Sequence, residues 1–275
     1  MIANKIIINI NKLTEIEEYK KIGITNFLFA VKDFSIGYKE FELNGLKNLN
    51  ENIYLLINRI MDTEAINKFK EIISELDFVK GIFFEDLGIY QLLKNTNIPL
   101  IYNQTQFATN TLSINHWLDR VDSAVISNSL CENEIIDIIN NVKKPIIFNV
   151  FAKNMVMYSR RKLLTNYNNY YKLDKKDQIV IRETFKGKKF DLKEAKYGTV
   201  IFNDLYFNYS SILPKLNTNN IKFYYINNLD LPVEDIKKLL NGNYINADDG
   251  FLNKKTIFKV GDIRDWTFKS SRKLR

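Results

Sequence analysis

Residues Pro145–Tyr167 read PIIFNVFAKNMVMYSRRKLLTNY, and the fold is decided by how that stretch is parsed. Its first half, Ile146, Ile147, Phe148 and Val150, is an unbroken apolar run, the signature of a strand covered on both faces, as in a parallel sheet packed between helices. Its second half turns abruptly polar and cationic: Lys153, Arg160, Arg161 and Lys162 fall within ten residues. A buried strand that empties into cations makes an anion-binding mouth at its exit.

The same grammar recurs outward from this stretch. Apolar runs at Ile6–Ile10, Phe27–Val31, Ile53–Ile57, Gly81–Phe84, Pro99–Tyr102, Ser123–Ile126 and Ile221–Ile226 each end in polar residues. Helical patterns separate them. Ala65, Ile66, Phe69, Ile72, Ile73 and Leu76 share one face at 3.6-residue spacing, as do Ile135, Ile136, Ile139 and Val142. Asp62 or Thr63 is placed to cap the first of these helices. Thr14 with Glu17, and Ser129 with Glu132, have capping-box spacing. Pro232 opens a helix carrying Val233, Ile236, Leu239 and Leu240.

Eight strands alternating with helices predict an α/β chain with right-handed crossovers, and eight is a number that closes a barrel. The expected fold is a (βα)8 TIM-like barrel over residues 1–260, followed by a basic tail, 261–275, that includes Arg264–Arg275. The 275 residues suit one such domain, which takes about 250. An open doubly wound sheet is the alternative, without a G-x-G-x-x-G or phosphate-loop pattern to support it. Phe151–Leu216 is too long for an ordinary crossover and reads as an insertion after the seventh strand. Within it, Ile179–Ile181 and Thr199–Phe202 are expected to pair as extra strands, and Leu205–Leu213 to form the crossover helix.

In such a barrel, chemistry collects where the strands end. Asn9, Asn58, Arg59, Glu85, Asn103, Gln104, Ser127, Asn128, Asn149, Lys153 and Asn227 fall at those exits and predict a polar pocket.

Composition bounds the chemistry. The net charge of +8, from 40 Lys and Arg against 32 Asp and Glu, favours anionic partners such as RNA, nucleotides or acidic metabolites. Cys131 is the only cysteine, so an internal disulfide and a cysteine-only zinc or iron–sulfur site are both excluded within this chain. One histidine, His116, excludes an H-E-x-x-H zinc site. The opening residues, MIANKIIINI, lack a full signal-peptide core, and no stretch approaches the roughly 18 apolar residues that span a membrane. The expectation is a soluble cytoplasmic protein with no membrane partner.

At FNVFAKNMVMYSRRKLL the residues resemble the signature of the collagenase-like peptidase family U32. In that signature an acidic or amide residue and a short apolar step precede His-Gly or a variant, then Tyr-Ser-(Gly/Arg)-Arg. Asn149, Phe151, Ala152, Tyr158, Ser159, Arg160 and Arg161 occupy those places. ENIYLLINRIMD up to Asp62, IPLIYNQTQFATN from Ile98, IVIRETFKGKKFDL from Ile179, YGTVIFND from Tyr197 and GFLNKKTIFKV from Gly250 extend the likeness over most of the chain. The resemblance implies a (βα) barrel. It implies either peptide hydrolysis, as the family name says, or a part in RNA modification. Better-understood relatives are linked to uridine hydroxylation in transfer RNA involving prephenate, and to oxygen-independent ubiquinone hydroxylation.

Several of those relatives hold an iron–sulfur cluster on four cysteines. Two of the ligand positions would fall near Met155 and Lys162, neither a cysteine. No cofactor is therefore expected on this chain, and a cysteine-rich paralogous subunit becomes a candidate partner. The expected role is a cluster-free component of transfer-RNA uridine hydroxylation, with a peptidase and a non-catalytic binding subunit as alternatives.

The candidate catalytic residues are Glu85, Asn149, Ser159 and Arg182. The candidate substrate-binding residues are Arg59, Asn103, Lys153, Tyr158, Arg160 and Arg161, facing RNA or an acidic metabolite such as prephenate; no metal site is expected. Arginine offers paired donors to a carboxylate or phosphate, and Tyr158, Tyr167, Tyr170 and Tyr171 interleave with the cations as stacking faces for bases. A Cys131–His116 nucleophile pair would require two successive helices to converge on the barrel mouth.

Overall fold

The computed structural model describes residues 3–104, 106–184 and 187–254, so the expected tail at 261–275 lies outside the described residues. The first half of the chain alternates strand and helix: β1 (Ile6–Asn9), α1 (Ile16–Lys21), β2 (Asn26–Val31), a two-residue β3 (Glu40–Phe41), α2 (Leu43–Lys47), β4 (Asn52–Ile57), α3 (Thr63–Ile72), β5 (Gly81–Phe84), α4 (Leu87–Leu93), β6 (Leu100–Tyr102), α5 (Thr111–Leu118), β7 (Ser123–Ala124), α6 (Glu132–Asn141) and β8 (Ile146–Ala152). An insertion follows, with β9 (Met155–Ser159), α7 (Leu163–Tyr171), β10 (Gln178–Arg182), β11 (Lys189–Ala195) and β12 (Gly198–Asn203). The chain then returns through β13 (Tyr206–Asn208), β14 (Ile221–Asn227), α8 (Val233–Leu240) and β15 (Ala247–Asp248).

Eight strands run parallel in the order β8-β14-β1-β2-β4-β5-β6-β7. This confirms the α/β class and the large, mostly parallel sheet. The hydrogen-bonded ladders do not run continuously into a closed sheet. The outer strands β7 and β8 meet at one parallel bridge, Val125 with Ile147, where Ile126 N donates to Ile147 O at 3.2 Å.

The core is divided by strand alternation. One cluster takes Ile6, Ile8, Phe27, Phe29, Leu55, Ile82 and Phe84 against helix residues such as Tyr19, Phe69, Ile89, Leu118, Ile139 and Ile236. The alternate residues Ile7, Leu28, Tyr54, Leu56, Phe83, Ile101, Val125, Ile147 and Tyr225 form a second cluster drawn from all eight parallel strands or their immediate ends. Each such side chain, fully buried, contributes about 1.5–3 kcal/mol, so slipping any strand by one residue would disrupt the packing of both clusters.

Caps explain the helix starts. Asp62 accepts from Ala65 N at 2.9 Å, Asp86 from Gly88 N at 2.7 Å and Asn110 from Ser113 N at 2.9 Å. Asn110→Ala should cost about 1 kcal/mol in urea unfolding, because its cap is exposed and has no other role in the core. Two expected capping boxes are corrected. Ser129 is held by Ser127 Oγ, and the box forms two residues later, with Cys131 N donating to Glu134 Oε2 at 2.8 Å. Near Thr14 a short 3-10 turn leads into α1, and Glu17 is drawn to Lys20 at 2.9 Å.

The insertion is an antiparallel sheet in the order β10-β11-β12-β9. Ile179–Ile181 and Thr199–Phe202 therefore do not pair directly: β11, whose polar sequence KFDLKEA hides its strand character, lies between them. Leu205–Leu213 is no helix either. Phe207 and Asn208 pair antiparallel with the end of β8, and a 3-10 segment containing Pro214 follows. Gly198 makes the turn into β12 at φ +140°, where a Cβ would stand 2.1 Å from Ser159 O.

Candidate active site

Strand alternation also builds the site. Two residues beyond an inward apolar side chain, the next inward position on most strands is polar: Asn9 after Ile7, Asn58 after Leu56, Glu85 after Phe83, Asn103 after Ile101, Ser127 after Val125, Asn149 after Ile147 and Asn227 after Tyr225. The C-terminal ends of the parallel strands thus carry a crown of amides around one carboxylic acid.

Hydrogen bonds tie the crown together. Asn103 Nδ2 donates to Glu85 Oε1 at 3.2 Å, Tyr225 Oη donates to Asn9 Oδ1 at 2.5 Å, and Asn227 Nδ2 donates to Tyr38 Oη at 2.9 Å. Asn149, oriented to accept from Asn128 Nδ2 at 3.0 Å, donates to Tyr225 O at 3.3 Å and Phe151 O at 3.2 Å. Asn58 clamps the loop after β2 by exchanging bonds with Ile36 N and O. The buried Oδ1 atom of Asn227 has no donor among the described residues. An unpaired buried acceptor is costly unless something supplies an N–H or O–H.

Burial pushes the Glu85 carboxyl up to about 8, and the Asn103 amide offsets only part of that rise. Glu85 is thus a neutral acid near pH 7, with a proton to donate. Burial also raises the phenols of Tyr38, Tyr102 and Tyr225, and the Glu85 carboxyl adds to the rise in each.

Of the expected cations, Lys153, Arg59 and Arg160 are already engaged with carboxylates rather than standing as open clamps within the crown. Lys153, 6 % exposed, pairs with Asp191 at 2.5 Å and lies 3.8 Å from Asp230. Arg59, equally buried, donates to Asp33 O at 2.7 Å, pairs with Asp62 at 3.2 Å and lies 3.5 Å over the Tyr197 ring. Arg160 reaches back to the same Asp62 carboxylate at 3.2 Å from an exposed position, and Arg161 is exposed beside it. Arg182 lies on β10, the sheet edge opposite β9. Ser159 Oγ accepts from Arg161 N at 3.2 Å, and Tyr158 Oη donates to Tyr197 O at 3.4 Å. His116 is exposed in the last turn of α5, whereas Cys131 caps α6.

Of the candidates, then, Glu85, Asn103 and Asn149 belong to the crown. Arg59, Lys153, Tyr158, Ser159 and Arg160 belong to the seam between the parallel sheet and the insertion. That seam is held by Asp33, which accepts from Tyr197 Oη and Lys196 Nζ; these bonds keep its carboxyl below the usual range. At the same seam Gly37, φ +86°, lies so close to Phe202 and Met155 that a Cβ would stand 2.9 and 3.0 Å from them. Met155 is packed there and Lys162 is exposed, so the residues at the two expected ligand positions do not fit an iron–sulfur cluster. Among the described residues, no group of three His, Cys, Asp or Glu could hold a metal ion. No described helix is long and apolar enough to cross a membrane.

Tyr38, Tyr225, Asp33, Asp191 and Tyr197 were not readable as site or seam residues. Only Tyr225 left a signal, lying two residues before the polar exit Asn227 on one strand face.

A family model described as Peptidase family U32 matches residues 26–262. No curated protein matches the chain. Similar solved structures include the spore cortex-lytic enzyme SleL of Bacillus cereus, at 12% identity and TM-score 0.43, covering 89% of this chain and 75% of that one. SleL of Bacillus megaterium QM B1551 is 9% identical, with TM-score 0.41 and coverage of 91% and 74%. A chitinase from Chromobacterium violaceum ATCC 12472 is 8% identical, with TM-score 0.38 and coverage of 90% and 96%. At these values the structural likenesses bear on neither activity nor substrate.

Proposed function

Because this chain belongs to peptidase family U32, we propose that it works in RNA modification, admitting an unpaired uracil to the crown as a cluster-free component of transfer-RNA uridine hydroxylation. The parallel strands form a (βα)8 barrel in this reading, sealed through the Val125–Ile147 bridge, and the crown is its mouth. The second core cluster, fed by every parallel strand, supports that closure.

The single observation that carries the function is the neutrality of the crown. Amides surround a protonated acid, and the nearby buried cations are spent on Asp191, Asp33 and Asp62. Such a site suits a neutral planar ligand with alternating donors and acceptors, read along its edge. Glu85 donates to a base carbonyl, and Asn227 Oδ1 accepts an imide N–H. A dicarboxylate such as prephenate would lack a free countercharge there and is assigned elsewhere, as is any cluster, which a cysteine-rich paralogous subunit would bring. What this chain does is bind and orient the base; it contributes no nucleophile to the scheme.

The test is mass spectrometry of transfer-RNA nucleosides from a deletion strain complemented with wild type, Asn103→Ala or Asn227→Ala. The expected result is loss of a hydroxylated uridine in the deletion and in both variants. An unchanged nucleoside profile overturns the proposal, and cleavage of labelled gelatin by the purified protein would replace it with hydrolysis.

A further inference from the structure

The positive charge of the chain is not spread evenly. Residues 160–196 hold twelve Lys and Arg against five Asp and Glu, which accounts for most of the net +8. This stretch is the middle of the insertion: the turn after β9, then α7, β10 and β11. The crown therefore holds little free charge, whereas the structure beside it is strongly cationic.

Within that stretch, α7 presents an aromatic face. Tyr167, Tyr170 and Tyr171 lie at i, i+3 and i+4, hence on one side of the helix. They are 53, 80 and 57 % exposed. Their rings pack on one another, with centroids 4.7 Å apart for Tyr167 and Tyr171 and 4.8 Å for Tyr170 and Tyr171. Leu164 and Asn168, on the strip of the helix adjoining Tyr167 and Tyr171, are buried and seat the helix. The N-terminal turn is anchored by Glu194, whose Oε2 accepts from Leu164 N at 2.8 Å and Thr165 N at 3.2 Å. The C-terminal turn closes on Lys172 in the left-handed conformation, with Leu173 N donating to Asn168 O at 2.9 Å. Asn168 Nδ2 also reaches Lys176 O, folding the following loop back along the helix.

That fold-back brings Lys172, Lys175 and Lys176, all exposed, to the C-terminal end of the tyrosine face. Among the described residues none of the three pairs with a carboxylate within 4 Å, in contrast to Arg160 and Lys196 nearby. Three fixed, outward aromatic rings flanked by unpaired cations are the two components of a strand-binding surface: rings stack on bases, and ammonium groups hold phosphates.

We propose that this face of α7, with the loop after it, is a platform for single-stranded polynucleotide, Tyr167, Tyr170 and Tyr171 stacking on bases while Lys172, Lys175 and Lys176 hold the backbone. The proposal rests on the RNA reading above and adds the surface that holds the strand whose base is presented to the crown. An acidic peptide would satisfy the lysines but leave the rings idle.

The experiment is fluorescence anisotropy with a labelled oligouridylate of about twelve nucleotides. Wild type binds, and the triple variant Tyr167→Ala, Tyr170→Ala, Tyr171→Ala loses roughly tenfold or more in affinity. Lys175→Ala with Lys176→Ala flattens the dependence of log Kd on log salt, by about 0.7 for each phosphate no longer held. All three tyrosines are exposed, so the melting midpoint should hold; if it falls, Tyr170→Ala alone, the most exposed, gives the same readout with a smaller loss. Undiminished affinity in the tyrosine variants overturns the platform, as does polyglutamate competing as well as the strand. Tyrosine-dependent binding with an unchanged nucleoside profile upholds the platform and removes the crown reading. Absence of strand binding removes the platform, whatever the nucleoside profile shows.

Discussion

Glu85→Gln should stabilise the protein at pH 8 and leave its stability at pH 4.5 nearly unchanged. Burial raises the folded-state pKa of Glu85 from 4.5 to about 8. In the unfolded chain the group ionises near 4.5, so between these values the native state binds more protons than the unfolded state. Stability from this group is therefore fully present below pH 4.5 and declines as pH rises through the folded pKa. At 1.36 kcal/mol per unit the total is on the order of 4 kcal/mol by pH 8. Glutamine keeps an oxygen to accept from Asn103 Nδ2 and carries no charge to desolvate. Urea midpoints at pH 5, 6.5 and 8 measure the effect. Glu15 and Glu40 are also raised by burial and tilt the wild-type curve the same way, so the difference between the two proteins is the quantity to read. A variant whose advantage does not grow with pH would show that the carboxyl ionises freely in the fold.

Asp191→Ala should be the most damaging single change at the seam. It removes the carboxylate 2.5 Å from Lys153, an ammonium with little access to water. The remaining partner, Asp230, is 3.8 Å away and already accepts from Tyr206 Oη at 2.7 Å. Breaking a buried pair from one side costs about 3–5 kcal/mol, because a charge is left without compensation. Replacing both partners, as Lys153→Met with Asp191→Leu, should recover most of that loss. The readout is urea unfolding of the single and double variants, with hydrogen exchange along β11 to locate the loosening. A loss under about 1 kcal/mol in the single variant would mean that water reaches Lys153 and the pair acts as a surface bridge.

The parallel strands were legible because each is a short apolar run, and Gly81–Phe84 matches its observed strand end to end. Their polar exits were legible for the same reason, and Asn9, Glu85, Asn103, Asn149 and Asn227 do share the crown. The insertion was harder to read. β11 alternates without a clean apolar face, since its sheet is covered only in part, and periodicity cannot separate such a strand from a loop. The partners of Lys153 and Arg59 were beyond reach for another reason. Asp191, Asp33 and Tyr197 are distant in sequence from the cations they meet, and nothing local marks a carboxylate as a buried counter-ion. A cation cluster read as an open clamp is thus, at Lys153 and Arg59, a set of rivets.

The position of β1 between β14 and β2 bears on how the chain is made. Ile6 pairs with Tyr224, so of the described strands the first to leave the ribosome waits for nearly the last. Until then β1 has one hydrogen-bonding edge open, and a strand of four buried residues with an open edge is a template for the wrong neighbour. Pairings this distant in sequence slow folding. The nascent protein should therefore depend on chaperones most during synthesis of its middle third, and versions shortened before residue 221 should accumulate as aggregates.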